Sequence, residues 1–509
     1  MGQMNRKGET PPVKQVKSAQ RFAYCLALSA LVMTLCTKSS FLYPMNDWVD
    51  ANIYFTIGKG MMRGLVPYRD LFDQKGPVVF LLYGLCTLVS DTSFLGVYLA
   101  EVLSFSCFLY FSGKTVNLFV RRGGYLLLPL LAAAVGCGLA FSHGGSLEEF
   151  CLAPFSFTLF CSLRYFHEDY PRPVSVKVIL INGFLAGLVL MSKFNLLAFY
   201  FAFMALIAIA QLMQKRVKGF FGCCLLFLGM MAVPFLLWTG YFAVVGALPE
   251  FFQSYFIGNL FGYSYLEEPV LLNMLLAILR GTAATLWRNL PYGLFLLLGY
   301  GWFTLKKNAM KGVEKINLWA FLLLTCCGVY CGGQGYRYYG LVLAVFAPLG
   351  FVSVLRWLSA KWPGVSDKPA LPAAALSALA LCACLLFSGN GYLRGMPRED
   401  TPQYRFAGVM EARSGGKDFT LLCRAFPDSG FYLAADVLPN LRFFTSTNVP
   451  MPEAGQAQQA YLDAGLADYV VTRDRMEPPE EGLVLLDTAS LYYEEAVSTY
   501  RLYGKPGQS

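Results

Sequence analysis

Histidine is nearly missing from this chain: two residues in 509, His143 and His167. That argues against a histidine-built metal centre. Charge is scarce as well. Asp, Glu, Lys and Arg make up 14% of the residues, against roughly 25% in an average soluble domain. Cysteine is present, but not in a pattern that builds a framework. Most of the fifteen cysteines fall inside apolar runs, Cys36 and Cys384 among them, where a free thiol behaves as a small hydrophobe. Cys223-Cys224 and Cys326-Cys327 lack metal-site spacing, and the polar C-terminal stretch holds only Cys423. The chain has no repeat of fixed period, no low-complexity tract, and no basic stripe interleaved with aromatics. The last absence sets aside nucleic acid as a partner, despite a net charge of +9.

What remains is apolar. Hydrophobic residues are 56% of the chain and aromatics 16%, with a mean hydropathy of +0.48. A soluble protein cannot bury that much apolar surface, so the class is an all-α polytopic membrane protein. A spanning helix needs roughly 20 mostly apolar residues. About eleven stretches qualify: 22–43, 94–119, 124–141, 151–167, 178–192, 195–214, 219–247, 289–305, 316–331, 339–358 and 370–389. Pro77–Ser90 is apolar but short and is expected to lie in the interface; 270–287 is ambiguous. Residues 1–21 form a basic, polar tail, and the first apolar run shows no small-residue cleavage site, so it is expected to be retained.

Lys and Arg cluster on alternate loops: Arg121-Arg122; Arg164, Arg172 and Lys177; Lys215, Arg216 and Lys218; Lys306 to Lys315; then Arg356, Lys361 and Lys368. The positive-inside bias then places the N-terminus in the cytoplasm of a multi-pass inner or plasma membrane protein. Past Gly391 the composition turns polar, with short β-like runs between helix-like stretches. This predicts a membrane domain over 22–390 and a small extracytoplasmic α/β domain over 391–509.

Against this background the loop 44–93 stands out. Asn46–Pro77 carries Asp47, Asp50, Asp70, Asp73, Lys59, Arg63, Arg69 and Lys75. Three further polar features fall on the same predicted outer side. Ser142–Phe150 holds Glu148 and Glu149, and Ser146 with Glu149 reads as a capping box. Met191–Asn195 holds Lys193, which can also be read as a residue snorkelling to the interface. Gly332–Tyr339 holds Arg337 and Tyr338, whose plainer reading is an aromatic belt with one arginine. Acidic and basic groups on one face suit a substrate with a phosphate and a hydroxyl to be deprotonated. Asp50 can also be read as a helix N-cap, and Asp47 as a cap or solvated charge.

Asp50–Gly64 (DANIYFTIGKGMMRG), then Val66-Pro67-Tyr68-Arg69-Asp70, then Phe72-Asp73-Gln74-Lys75-Gly76-Pro77, resembles the first outer loop of bacterial family-39-like glycosyltransferases. These are relatives of protein O-mannosyltransferases and lipid A aminoarabinose transferases, with the GT-C membrane fold. The likeness runs more weakly through Leu147–Pro154, Ser192-Lys193 and Gly335–Pro348. It departs at Ala51, where an acidic residue is common, and at Arg337-Tyr338, where His-Tyr is common.

The resemblance implies an inverting transfer of a sugar from a polyprenyl-phosphate donor to an acceptor that is a protein, a lipid or a cell-wall glycan. By position Asp50 is the general base, Glu148 or Glu149 the second acidic residue, and Lys75 the donor-phosphate contact. Lys193 and Arg337 are cations on the phosphate side, with Tyr338, Tyr68, Asp70 and Asp73 as further substrate-side positions. No cofactor or metal site is called for, and a divalent metal stays open. Two rival functions fit the same composition: a transporter or flippase of a lipid-linked glycan, and an inactive relative in a glycan-assembly complex. Transporters usually show repeats and polar residues deep within spans, and neither appears here.

Overall fold

The structure, a computed structural model, describes residues 18–120, 123–261, 268–361, 370–446, 452–475, 478–493 and 496–506. The N-terminal tail before Ser18, Arg121-Arg122 and Lys368 lie outside the described residues.

Each of the eleven apolar stretches coincides with helix. The first nine helices are α1 (Ser18–Cys36), α2 (Val49–Met62), α3 (Pro77–Thr87), α4 (Leu95–Phe119), α5 (Leu128–Gly136), α6 (Leu147–Arg164), α7 (Val176–Leu190), α8 (Ala198–Met213) and α9 (Val217–Val244). Helices Val270–Arg288, Leu290–Leu305, Gly312–Tyr330, Pro348–Lys361 and Ala370–Phe387 complete the bundle. Without water, backbone polar groups must be satisfied inside the segment, which is why apolar composition alone marks these helices.

Length is another matter. Among the described residues six helices are long and apolar enough to cross a membrane, or seven if the bent pair Arg337–Phe346 and Pro348–Lys361 is one span. Val270–Arg288 is one of the six, so the ambiguous stretch is span-length. By contrast α5 is nine residues long and runs through the bundle interior. Pro77–Thr87 is also short, and it packs on α2 at the end of the bundle where the site lies. There Gly58 and Gly84 let the two backbones meet: a Cβ on Gly58 would lie 2.5 Å from Gly84 N.

The C-terminal unit carries helix Pro402–Ser414 and four strands: β1 (Leu421–Cys423), β2 (Tyr469–Arg473), β3 (Val484–Tyr493) and β4 (Ala496–Gly504). The sheet order is β1-β2-β4-β3, with β1 and β2 parallel and the remaining pairs antiparallel. This sheet does not stand apart from the bundle. Trp48, Tyr54, Tyr68 and Phe80 share one apolar core with Phe251, Phe406, Phe431, Tyr469 and Tyr500. Phe72 N donates to Arg442 O at 2.9 Å, and Lys59 pairs with Asp436 at 2.5 Å.

Charges in and beside the first loop are buried. Asp47 is 1% exposed and bonds Lys38 Nζ at 2.6 Å; Lys38 also donates to Tyr392 Oη at 2.9 Å. Lys59 is 4% exposed beside Asp436. The expectation of a cap or solvated charge at Asp47 therefore gives way to a buried ion pair. Its partner lies nine residues back in the chain, beyond any local capping pattern.

Candidate active site

Helix α2 begins at Val49, so Asp50 stands in its first turn, and the N-cap position belongs to Trp48. The Asp50 side chain does not cap the backbone. Its Oδ2 accepts from Tyr54 Oη at 3.3 Å, one turn along α2, and from Tyr338 Oη at 3.2 Å. Lys75 Nζ stands 4.0 Å from the same oxygen. Trp48 packs edge-on to Tyr338 and stacks on His143, which in turn stacks on Tyr493. Burial pushes the His143 ring well below its ordinary pKa, helped by the nearby Lys38 and Arg337 charges. The ring stands behind the cavity, stacked on two of its lining residues, Trp48 and Tyr493.

Lys75 is held by its backbone. Tyr68 is fully buried among Phe80, Phe242 and Phe251, and its Oη donates to Lys75 O at 2.6 Å. Tyr68 adopts φ +70°, a strained turn for a non-glycine residue. Asp70 closes that turn by accepting from Val66 N at 2.7 Å. The Arg69 guanidinium, hydrogen-bonded to Asp70, keeps its carboxyl below the usual range. After Lys75, Gly76 N donates to Ser192 O at 3.1 Å, and Val78 N to Met191 O at 3.2 Å. A Cβ on Gly76 would sit 2.1 Å from Met191 O, so only glycine permits this clasp. It sets Lys75 beside the segment that carries Lys193.

Lys193 Nζ bonds Glu148 Oε1 at 2.5 Å and lies 3.6 Å from the Tyr339 ring centroid. Glu149 has a different task. Its backbone N donates to Ser146 Oγ at 3.1 Å, and its Oε2 accepts from Gly145 N at 2.9 Å. This is the expected capping box, closed one residue early. Of the two glutamates, Glu148 faces Lys193 and Glu149 organises the start of α6.

Three cavities meet here. Asp50, Asp73, Lys75, Tyr338 and Arg473 line one of about 210 Å³. Lys75, Gln74, Ser192 and Lys193 line a second of about 320 Å³, whose other walls are mostly apolar, with Phe194, Leu260, Met274 and Val329. Gln74 and Lys75 belong to both. A third, of about 420 Å³, is lined by Arg280, Arg288, Arg337, Asn273 and Gln334; among the described residues no carboxylate lines it. Arg337 is thus placed with Arg280 and Arg288, not beside Lys75. Tyr336 joins this basic cavity to that of Asp50. Asp73 is buried; burial raises its carboxyl pKa, the Lys75 charge pulls it back, and Asp50 adds to the rise.

No family model and no curated protein matches this chain. Solved structures do. ArnT from Cupriavidus metallidurans, bound to undecaprenyl phosphate, aligns over 96% of this chain and 98% of its own, with a TM-score of 0.55 at 11% identity. This chain has the GT-C fold. The apo state of the same ArnT gives 0.49 at 11% identity, covering 94% of this chain and 98% of that one. Arabinofuranosyltransferase AftD from Mycobacteria gives 0.43 at 12%, covering 96% of this chain and 40% of that one.

Within this GT-C chain, several lining residues had no local signal. Arg473 and Tyr493 reach the Asp50 cavity from the C-terminal strands. Tyr54 is marked only by its i+4 spacing from Asp50. Arg280 and Arg288 did leave a trace: eight apart on an otherwise apolar helix, they share a face with Asn273, Ala277 and Ala284.

Proposed function

We propose that this GT-C protein is an inverting glycosyltransferase that moves a sugar from a polyprenyl-phosphate donor to an acceptor hydroxyl at the extracytoplasmic face. One observation carries the reading. Asp50, oriented by Tyr54 and Tyr338, shares a cavity with Lys75, and Lys75 also lines the largely apolar cavity that holds Lys193. Lys75 thus borders both the base, Asp50, and the phosphate-side cation, Lys193.

The apolar cavity suits a prenyl chain with its phosphate at the lysines, in keeping with the undecaprenyl phosphate bound to ArnT of the same fold. Asp50 takes the proton of the acceptor hydroxyl, whose oxygen attacks the anomeric carbon. The bond from that carbon to the phosphate oxygen breaks, and the prenyl phosphate leaves with the electron pair. Lys75 and Lys193 meet the developing charge, where a fixed cation lowers the barrier most. Glu148 holds Lys193 in place. Tyr68, Asp70 and Gly76 position Lys75. The chain divides into a membrane domain over 22–390 and an extracytoplasmic unit over 391–509 that closes the cavity through Arg473. The acceptor is a protein, a lipid or a cell-wall glycan.

The test is transfer of radiolabelled sugar from a polyprenyl-phosphate donor by the purified protein. Asp50→Asn is expected to abolish transfer while leaving donor binding intact. Transfer at the wild-type rate by Asp50→Asn removes Asp50 as the base. Passage of a labelled lipid glycan across a vesicle bilayer, with no transfer from any donor, moves the assignment to a transporter.

A further inference from the structure

The thiols of Cys36, Cys137 and Cys384 lie within 4.8 Å of one another, the one trio of metal-capable side chains so spaced among the described residues. They come from three helix ends. Cys36 ends α1, Cys137 caps α5, and Cys384 sits near the end of Ala370–Phe387. These three helices pack pairwise. Cys36 and Cys384 are fully buried and Cys137 is half-buried. All three are free thiols. Gly136 leaves room for the cluster, since a Cβ there would stand 3.0 Å from Cys36 Sγ.

We propose that Cys36, Cys137 and Cys384 form a binding site for a thiophilic closed-shell metal ion, Cu⁺ or Zn²⁺. Soft thiolate sulfurs select such ions. With metal–sulfur bonds of about 2.3 Å, a trigonal three-sulfur site puts its sulfurs about 4.0 Å apart. The trio, within 4.8 Å of one another, stands close to that spacing. Three sulfurs complete a trigonal Cu⁺ site; Zn²⁺ needs water as a fourth ligand, for which half-buried Cys137 leaves an approach. On binding, the thiols release their protons to solvent, and no electron is transferred.

Thiolates in an apolar bundle need compensating charge, and Arg394 is placed to supply it. Its guanidinium donates to Leu35 O and to Leu385 O, both at 3.1 Å. These carbonyls belong to the residues next to Cys36 and Cys384 in the chain. The site is independent of the chemistry at Asp50. A bound ion would tie together the three helix ends from which the Ser142–Ser146 loop is hung, since Asn390 Nδ2 already donates to both Cys36 O and Ser142 O.

The experiment uses the full chain in detergent, purified under reducing, metal-free conditions. It is titrated with Zn²⁺ and, separately, with Cu⁺ kept reduced against a coloured chelator. One equivalent of either ion is expected to bind with a thiolate charge-transfer band in the ultraviolet. Cys137→Ser, the least buried change, is expected to weaken binding at least tenfold, and Cys224→Ser to leave it unchanged. On wild-type protein, which carries no folding risk, the bound ion is expected to block alkylation of Cys137. Three results overturn the site: no stoichiometric binding of either ion, binding unaffected by Cys137→Ser, or a disulfide between two of the three cysteines in the freshly isolated chain.

Discussion

Tyr54 and Tyr338 present a quantitative case. Both hydroxyls donate to one oxygen of Asp50, at 3.3 and 3.2 Å. Hydroxyl–oxygen bonds centre near 2.7–2.8 Å, so these are long bonds. A hydrogen bond to a charged group contributes about 1.5–3 kcal/mol, and long ones belong at or below the lower bound. Taking ~1 kcal/mol for each, Tyr54→Phe and Tyr338→Phe should each lower kcat roughly five- to tenfold, since 1.36 kcal/mol is a factor of ten. Both bonds converge on one atom, so their effects should couple. With one gone the other still fixes the carboxylate; with both gone only Lys75 remains near. The double variant should lose more than the product of the single losses. Donor KM should stay within about twofold, because neither tyrosine lines the largely apolar cavity of Lys75 and Lys193. The assay is initial-rate sugar transfer at varied donor concentration. If both single variants keep wild-type kcat while Asp50→Asn is inactive, the tyrosines do not orient the base. If instead KM rises with kcat intact, they bind substrate.

Other expectations follow from the same contacts. Lys75→Ala should weaken donor binding by about 1.5–3 kcal/mol, the worth of a hydrogen bond to a charged group; donor affinity equal to wild type removes Lys75 from the phosphate. Lys38→Met should cost ~3–5 kcal/mol of stability by leaving Asp47 buried and unpaired, and Lys38→Met with Asp47→Leu should recover most of it; thermal unfolding in detergent measures both, and equal losses would contradict a buried pair. Asp428, fully buried inside the C-terminal unit, has its carboxyl pKa raised by burial to about 6, above the ordinary 3.8. The folded state therefore holds the proton where the unfolded state has lost it, and stability should fall as pH rises from about 4 to about 6. The full window is worth about 3 kcal/mol. Asp428→Asn should flatten this slope, and a slope of the same size in the variant would place its origin elsewhere.

Much of the architecture could be read from composition because lipid leaves the backbone few options, and each of the eleven apolar stretches is helical. Span length was less legible. Whether a helix such as α5 crosses the bilayer or fills the interior depends on its neighbours, which hydropathy does not encode. In the site, Asp50, Lys75 and Gly76-Pro77 stood out because their spacing is local. Glu148 meets Lys193 across 45 residues, and Tyr338 meets Asp50 across 288; such pairs are set by helix packing alone. The same reason hid Arg473 on its distant strand. It also turned Arg337 toward Arg280 and Arg288. The cysteine trio was hidden on the same account: each is an ordinary apolar residue in its own helix, and only the convergence of three helix ends brings the three thiols together.

The shared core between the first loop and the C-terminal sheet has a consequence for biosynthesis. Asp50 leaves the ribosome long before Arg473 and Tyr493, and a chain made from its N-terminus folds in that order. Phe72 waits for Arg442, and Lys59 for Asp436. Until translation reaches β2 and β3, the cavity around Asp50 lacks Arg473 and Tyr493, and until Asp436 emerges Lys59 lacks its ion-pair partner. A chain that stops short of these strands therefore cannot enclose the Asp50 cavity, which closes only once Arg473 and Tyr493 are in place.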